Sequence, residues 1–221
     1  MACLSRSDIE ALTAPLIDAY RERFVPAHCL CWRVEPELLA QSMGLRVAYR
    51  RLSPDGSILG MTSSAEAWVS LPDDTGGEIL WPLDGSSVLI EEALRRDPRL
   101  LGRLHFTLAH ELGHQVVYRL DPVVPRFHCR SLAHTVTDWE EWQADAIGAA
   151  LLMPRQAIED AMFFFGLGEK MTVLSRKYSE FRFQNFCRMA DALQVSRTAL
   201  SYRMEQLGLL ERNPQYDRRF P

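Results

Sequence analysis

The sequence predicts an α+β fold: a small sheet packed on helices, followed by a helical C-terminal extension that resembles a helix-turn-helix. Three observations lead there. Short runs rich in β-branched and aromatic residues, separated by turn residues, fill positions 45–83. Apolar residues at helical spacing govern the stretches on either side. The strongest of those stretches carries His110-Glu111-Leu112-Gly113-His114, two histidines four residues apart. At 221 residues the chain can bury one substantial core with a smaller appendix, and the change of character suggests a division into residues 1–165 and 166–221.

Ile9, Leu12, Leu16, Ile17 and Tyr20 recur at helical spacing and predict a helix from Ser7 to Phe24 that covers the core. Pro36 suits the first turn of a short helix to Met43, which Gly44 ends. Leu45–Tyr49, Ser57–Met61, Ala65–Leu71 and Glu78–Leu83 read as strands, with turns at Ser53-Pro-Asp-Gly56 and Pro72–Gly77. One edge strand ahead of the next helix could bind an extended peptide by main-chain pairing. Ala65–Leu71 is the first choice for it and Glu78–Leu83 the second. Leu100, Leu101, Leu104, Leu108, Leu112, Val116 and Val117 then mark a helix from about Arg99 to Tyr118.

On that helix His110 and His114 project from one face and can share a metal. Glu111 lies about 100° around the axis. Its carboxylate falls beside the metal, where it can take a proton from a water that the metal activates. Gly113 costs a helix about 1 kcal/mol relative to Ala, so a packing reason is expected: a bare backbone that lets another segment approach. Catalytic zinc takes three protein ligands. The third is sought in a helix capped by Thr137 or Asp138 and ended by Pro154, whose apolar face carries Trp142, Ile147, Ala150, Leu151 and Leu152. Glu141 would close the site, with Glu140 as its rival. Asp145, on the same face as Glu141, would accept a hydrogen bond from a ligand imidazole and orient it.

Phe106–His114 (F-T-L-A-H-E-L-G-H) followed by Glu141–Pro154 (E-x-x-A-D-x-x-x-x-x-L-L-M-P) resembles the ImmA/IrrE family of metallo-endopeptidases. The resemblance implies a minimal zincin-like, gluzincin-type peptidase core over residues 1–165, with one Zn²⁺ per chain. It gives His110, His114 and Glu141 the role of ligands, Glu111 that of catalytic glutamate, and Asp145 that of the residue behind a ligand. Ile147 and Gly148 stand where Phe and Ala are usual, Gln143 where a second Glu is frequent, and His105 where Arg often precedes the Phe; none removes a ligand. The implied substrate is a helix-turn-helix transcriptional repressor, cleaved to relieve repression of mobile-element, toxin–antitoxin or stress genes. Leu210 leaves little chain for a sensor domain, which favours the first two settings. His128, His134 and Tyr118 are candidate donors to the oxyanion of a tetrahedral intermediate. The same ligands could hold Mn²⁺ or Fe²⁺. A small-molecule amidohydrolase, or a DNA-binding transcriptional regulator with a structural or vestigial zinc site, are the competing readings.

The extension carries Phe186, Met189, Ala190 and Leu193 as one stripe and Leu200, Met204 and Leu207 as another. Ser196 is the cap between them and Gly208 the stop, so 182–210 reads as a helix-turn-helix. Residues 170–221 hold 10 Lys+Arg against 5 Asp+Glu, whereas residues 1–169 hold 15 against 24. A basic segment can contact phosphates. Its second helix offers only Arg197 and Arg203, with Glu205 opposing them, too few donors for base readout. DNA binding is therefore not favoured over a role in packing on the core or holding a protein substrate. No apolar run reaches the roughly 20 residues of a membrane span. Arg6, Asp8 and Glu10 interrupt any signal-peptide core, which points to the cytoplasm and to no membrane partner. Five cysteines (Cys3, Cys29, Cys31, Cys129, Cys187) argue against a disulfide framework. His28-Cys29-Leu-Cys31 is too tightly spaced for a zinc knuckle.

Overall fold

The computed structural model describes residues 4–26, 31–73, 75–120, 127–131 (backbone only) and 139–211. Helix α1 (Arg6–Phe24) starts at a reciprocal cap: the Ser5 side chain accepts from the Asp8 backbone N–H while Asp8 accepts from that of Ser5. Its buried face, Ile9, Ile17 and Tyr20, joins the main core as its spacing predicts. Helix α2 (Pro36–Ser42) has its proline in the first turn, and Gly44, at φ +74°, follows its end.

The strands β1 (Arg46–Arg50), β2 (Ile58–Ser63), β3 (Glu66–Pro72) and β4 (Glu78–Asp84) fall on the four expected runs. A fifth, β5 (Ser87–Glu91), is a buried apolar run with Val88, Leu89 and Ile90 fully enclosed. Too short for periodicity to separate strand from helix, it escapes a sequence reading. Helix α3 (Ala93–Arg96) is a single turn that leads, through a 3₁₀ turn at Pro98–Leu100, into α4 (Leu101–Leu120). Beyond it come β6 (Phe127–Ser131), α5 (Trp139–Leu152), α6 (Arg155–Phe164), α7 (Glu180–Leu193) and α8 (Arg197–Gln206).

The main sheet has the order β1-β5-β2-β6. β1 runs parallel to β5, and β2 is antiparallel to both its neighbours. The expected edge strands, β3 and β4, lie outside this sheet. β3 and β4 are joined by a tight loop, closed by an Asp73 N–H bond to the Gly77 carbonyl, and pair with each other in a separate two-stranded ladder. Val69, Leu71 and Leu83 of that hairpin pack on Met61 and Leu89 of the sheet. The main sheet's edges are β1 and β6. β6 holds His128 and Cys129; F-H-C-R-S alternates apolar and polar residues over only four positions, too short a run to mark a strand.

Among the described residues, two larger buried clusters lie on either side of the central helices. One lies between α1, α2, the sheet and the sheet-side faces of α4 and α5. The other joins Ala109, Ala149, Leu152 and Met153 of the α4–α5 region to Phe186, Met189, Leu200 and Met204 of α7 and α8. The helix-turn-helix-like pair is thus packed against the central helices. Its turn uses Gln194 in the left-handed region, at φ 54°, before the Ser196 cap.

Candidate metal centre

The centre is made by two helices pressed backbone to backbone. A Cβ added at Gly113 would lie 2.3 Å from the Ala144 carbonyl oxygen, and one at Gly148 would lie 2.7 Å from that of Ala109. Neither glycine can be any other residue without moving a helix. Gly113 therefore has the packing reason its position in a helix demanded, and α5 is the segment that approaches. The departure at Gly148 serves the same seam; the small-residue run A-I-G-A-A was its only sequence signal.

That seam brings His110 and His114 of α4 against Glu141 of α5. One ligand atom from each lies within 4.8 Å of the others, a group able to hold a metal ion. His110 Nε2 and His114 Nε2 are 3.0 Å apart, and the Glu141 carboxylate oxygens lie 3.4 and 3.3 Å from them respectively. Donors around a tetrahedral zinc, with bonds of about 2.0–2.1 Å, stand roughly 3.3 Å apart, so the spacing fits. Both imidazoles and Glu111 are fully buried, and Glu141 is nearly so. Two buried carboxylates cost several kcal/mol unless a cation balances them, and a divalent ion would do so.

Asp145 occupies the expected place: His110 Nδ1 donates to its Oδ1 at 2.7 Å. The proton is thereby held on Nδ1 and the Nε2 lone pair is left for a metal. Glu140 is not in the cluster. Its Oε1 is 4.0 Å from His114 Nδ1, beyond hydrogen-bond reach, and the rivalry resolves geometrically toward Glu141. Glu111 lies over β2, where a Cβ on Gly60 would meet its Oε1 at 2.6 Å. Gly60 went unremarked in the sequence, although a glycine inside a strand signals close approach by another group. Gln115 was also missed. It is buried on α4 and donates to Thr62 Oγ1 at 2.6 Å and to the Ser63 carbonyl at 2.8 Å, fixing the helix on β2.

Of the candidate oxyanion donors, Tyr118 is buried on α4, its ring centroid 5.9 Å from that of His114. His128 lies on β6 opposite Thr62, with its side chain outside the described residues; His134 lies outside them altogether. Cys3, Cys29 and His28 are also outside, and Cys31 and Cys187 are free thiols. Among the described residues no helix is long and apolar enough to cross a membrane.

The cations of the second extension helix have different fates. Arg203 is buried: Nε donates to the Met153 carbonyl at 3.0 Å, and the guanidinium pairs with Glu10 of α1 at 2.6 Å. Arg197 is exposed. Arg203 is thus turned inward, a clamp between α8, the end of α5 and α1.

No curated protein matches the chain. Residues 101–205, from the start of α4 into α8, match the family model described as the IrrE N-terminal-like domain, Peptidase_M78. The match spans both metal helices and the helix-turn-helix-like pair. With an H-E-x-x-H helix whose two histidines converge on a downstream glutamate, residues 101–205 are similar to the M78 metallopeptidase domain.

Proposed function

We propose that the chain is a zinc-dependent endopeptidase that cleaves a helix-turn-helix transcriptional repressor, relieving repression of mobile-element, toxin–antitoxin or stress genes. The observation that carries the reading is the convergence of His110, His114 and Glu141 within 4.8 Å, with Glu111 beside them on the same helix. His110, His114 and Glu141 would hold the ion, one per chain. When bound, zinc would supply Lewis acidity, polarising the substrate carbonyl and easing loss of a proton from water.

Glu111 does the proton work. Its carboxylate takes a proton as the water oxygen adds to the carbonyl carbon, then delivers it to the leaving amine nitrogen as the C–N bond breaks. Gly60 leaves room for that carboxylate over β2. Asp145 fixes the His110 ring. Tyr118, His128 and His134 are the candidate donors to the oxyanion, and single substitutions separate them. We assign residues 1–165 to the peptidase core and 166–221 to an extension that serves substrate binding, not DNA reading, since Arg203 is engaged internally.

Incubating zinc-loaded protein with helix-turn-helix repressors, beginning with any encoded beside it, tests the reading. The wild-type chain is expected to cut one of them. Glu111→Gln is expected to keep zinc and fold while losing at least ~10²-fold in rate. Full activity in that variant would remove Glu111 from the mechanism.

A further inference from the structure

A cavity of about 540 Å³ opens beside the metal centre, between α4, α5 and α8. Asp145 is shared by the two. Its side chain is 34 % exposed, holds His110 by one oxygen, and also forms part of the cavity wall. Thr107, one turn before His110 on α4, lines the same space. The cavity thus neighbours the metal centre through Asp145 and through Leu59, next to the Gly60 that faces Glu111.

Its chemistry is defined. Phe106 and Trp142 are half-buried and Tyr202 is exposed, so three aromatic side chains border the space. Ala146, Ala149 and Ala199 give it depth by having almost no side chain. Of its charged members, Asp145 is bound to His110 and Arg203 to Glu10; Arg103 is exposed. The far wall is α8, and it is held rigidly. Arg203 clamps it to α5 and α1, Arg155 donates to the Leu207 carbonyl at 3.0 Å, and Ser196 N lies 3.1 Å from where a Gly102 Cβ would be.

We propose that this cavity is the specificity pocket of the peptidase, and that it takes a bulky apolar or aromatic side chain of the polypeptide next to the scissile bond. On this proposal α8 is a wall of the substrate site, and the residues it turns into the cavity, Thr198, Ala199 and Tyr202, select the substrate. The inference rests on the peptidase reading above and deepens it. The occupant is a peptide because the space adjoins the metal group, has aromatic and small apolar walls suited to a hydrophobic side chain, and lies within the volume range of ligand pockets. Nucleic acid would instead need cations turned outward along α8.

Random-sequence peptides displayed on phage and selected on zinc-loaded Glu111→Gln protein provide the test. The selected peptides are expected to share one large apolar or aromatic position. Ala199→Phe, which fills the cavity from α8, is expected to weaken the consensus peptide about tenfold or more, with zinc content and Tm held at the parent values. Thr198→Trp is a second filling variant at an exposed position, should Ala199→Phe fold poorly. Enrichment of no peptide, equal binding by both filling variants, or displacement of the peptide by duplex DNA would overturn the proposal. The wild-type chain then separates the two readings. A peptide that binds in an Ala199-dependent way without being cut leaves the pocket standing and removes the peptidase. A peptide cut equally well by wild type and both filling variants does the reverse.

Discussion

At the scale of single residues, the two seam glycines invert the usual helix rule. In an exposed helix Gly→Ala stabilises by about 1 kcal/mol. Here the new methyl would overlap a carbonyl oxygen, at 2.3 Å for Gly113 and 2.7 Å for Gly148. Each Gly→Ala variant is expected to lose about 1–3 kcal/mol, the range for overpacking, seen as a lower Tm. A Tm at or above wild type would mean that the helices slide apart freely. His105 makes a different prediction. Burial pushes its pKa below the ordinary 6.5, outweighing Glu35, Glu37 and a backbone hydrogen bond with Gln194, which act to raise it; Arg33 acts with burial. The unfolded chain then takes up a proton near pH 6.5 that the folded protein resists. The stability from neutral His105 is complete above that pH and lost as pH falls toward the folded value. Tm measured from pH 7.5 to 5 should fall less steeply in His105→Phe than in wild type; parallel curves would refute the assignment. Single residues were also where the sequence spoke most clearly. Two histidines on one helix face, and a glutamate and an aspartate four apart on another, follow from helical geometry alone. Gly60 and Gln115 did not show, because their meaning is a contact with a distant element, Glu111 for one and β2 for the other.

At the scale of elements, α8 is the segment whose surface reading and packing disagree. Its sequence offers two arginines to a partner, and its fold withdraws one of them. Arg203→Ala would leave Glu10 and the Met153 carbonyl without this donor. A loss of about 2–4 kcal/mol is expected, since removing one member of a largely buried pair costs on the order of 3–5 kcal/mol and Glu10 is partly exposed. Arg197→Ala, at an exposed position, should stay within about 0.5 kcal/mol. Chemical denaturation of the two variants side by side distinguishes them, and equal stability would restore Arg203 to the surface. Helices were the most legible elements: α1, α2, α4, α5, α7 and α8 lie where apolar spacing and caps put them. Four strands were legible too, because turn residues punctuate them. Pairing was not. β3 and β4 form their own ladder, and β6 becomes an edge of the main sheet, because strand partners are chosen by loop length and distant packing, which no local pattern encodes.

At the scale of the molecule, the metal group ties two helices that belong to both hydrophobic clusters. An ion that binds only the folded state stabilises it by RT ln(1 + [L]/Kd), about 4 kcal/mol at a thousandfold excess over Kd. Chelation is therefore expected to lower Tm by roughly 8–16 °C for a chain of this size, and added zinc should restore it. Glu111→Gln should show the same drop and Glu141→Ala a much smaller one. No chelator effect on wild type would remove the ion from the folding equilibrium. The glycine seam carries a further consequence. Because α4 and α5 meet through backbone atoms, their separation cannot contract, and no side chain lies between them to yield if they must part. The centre behaves as a gauge of fixed bore, set by carbonyl oxygens and Cα hydrogens while the residues around it can vary. An ion with longer bonds would have to part the helices against the clusters on either side, so cations of larger radius are expected to bind the group more weakly.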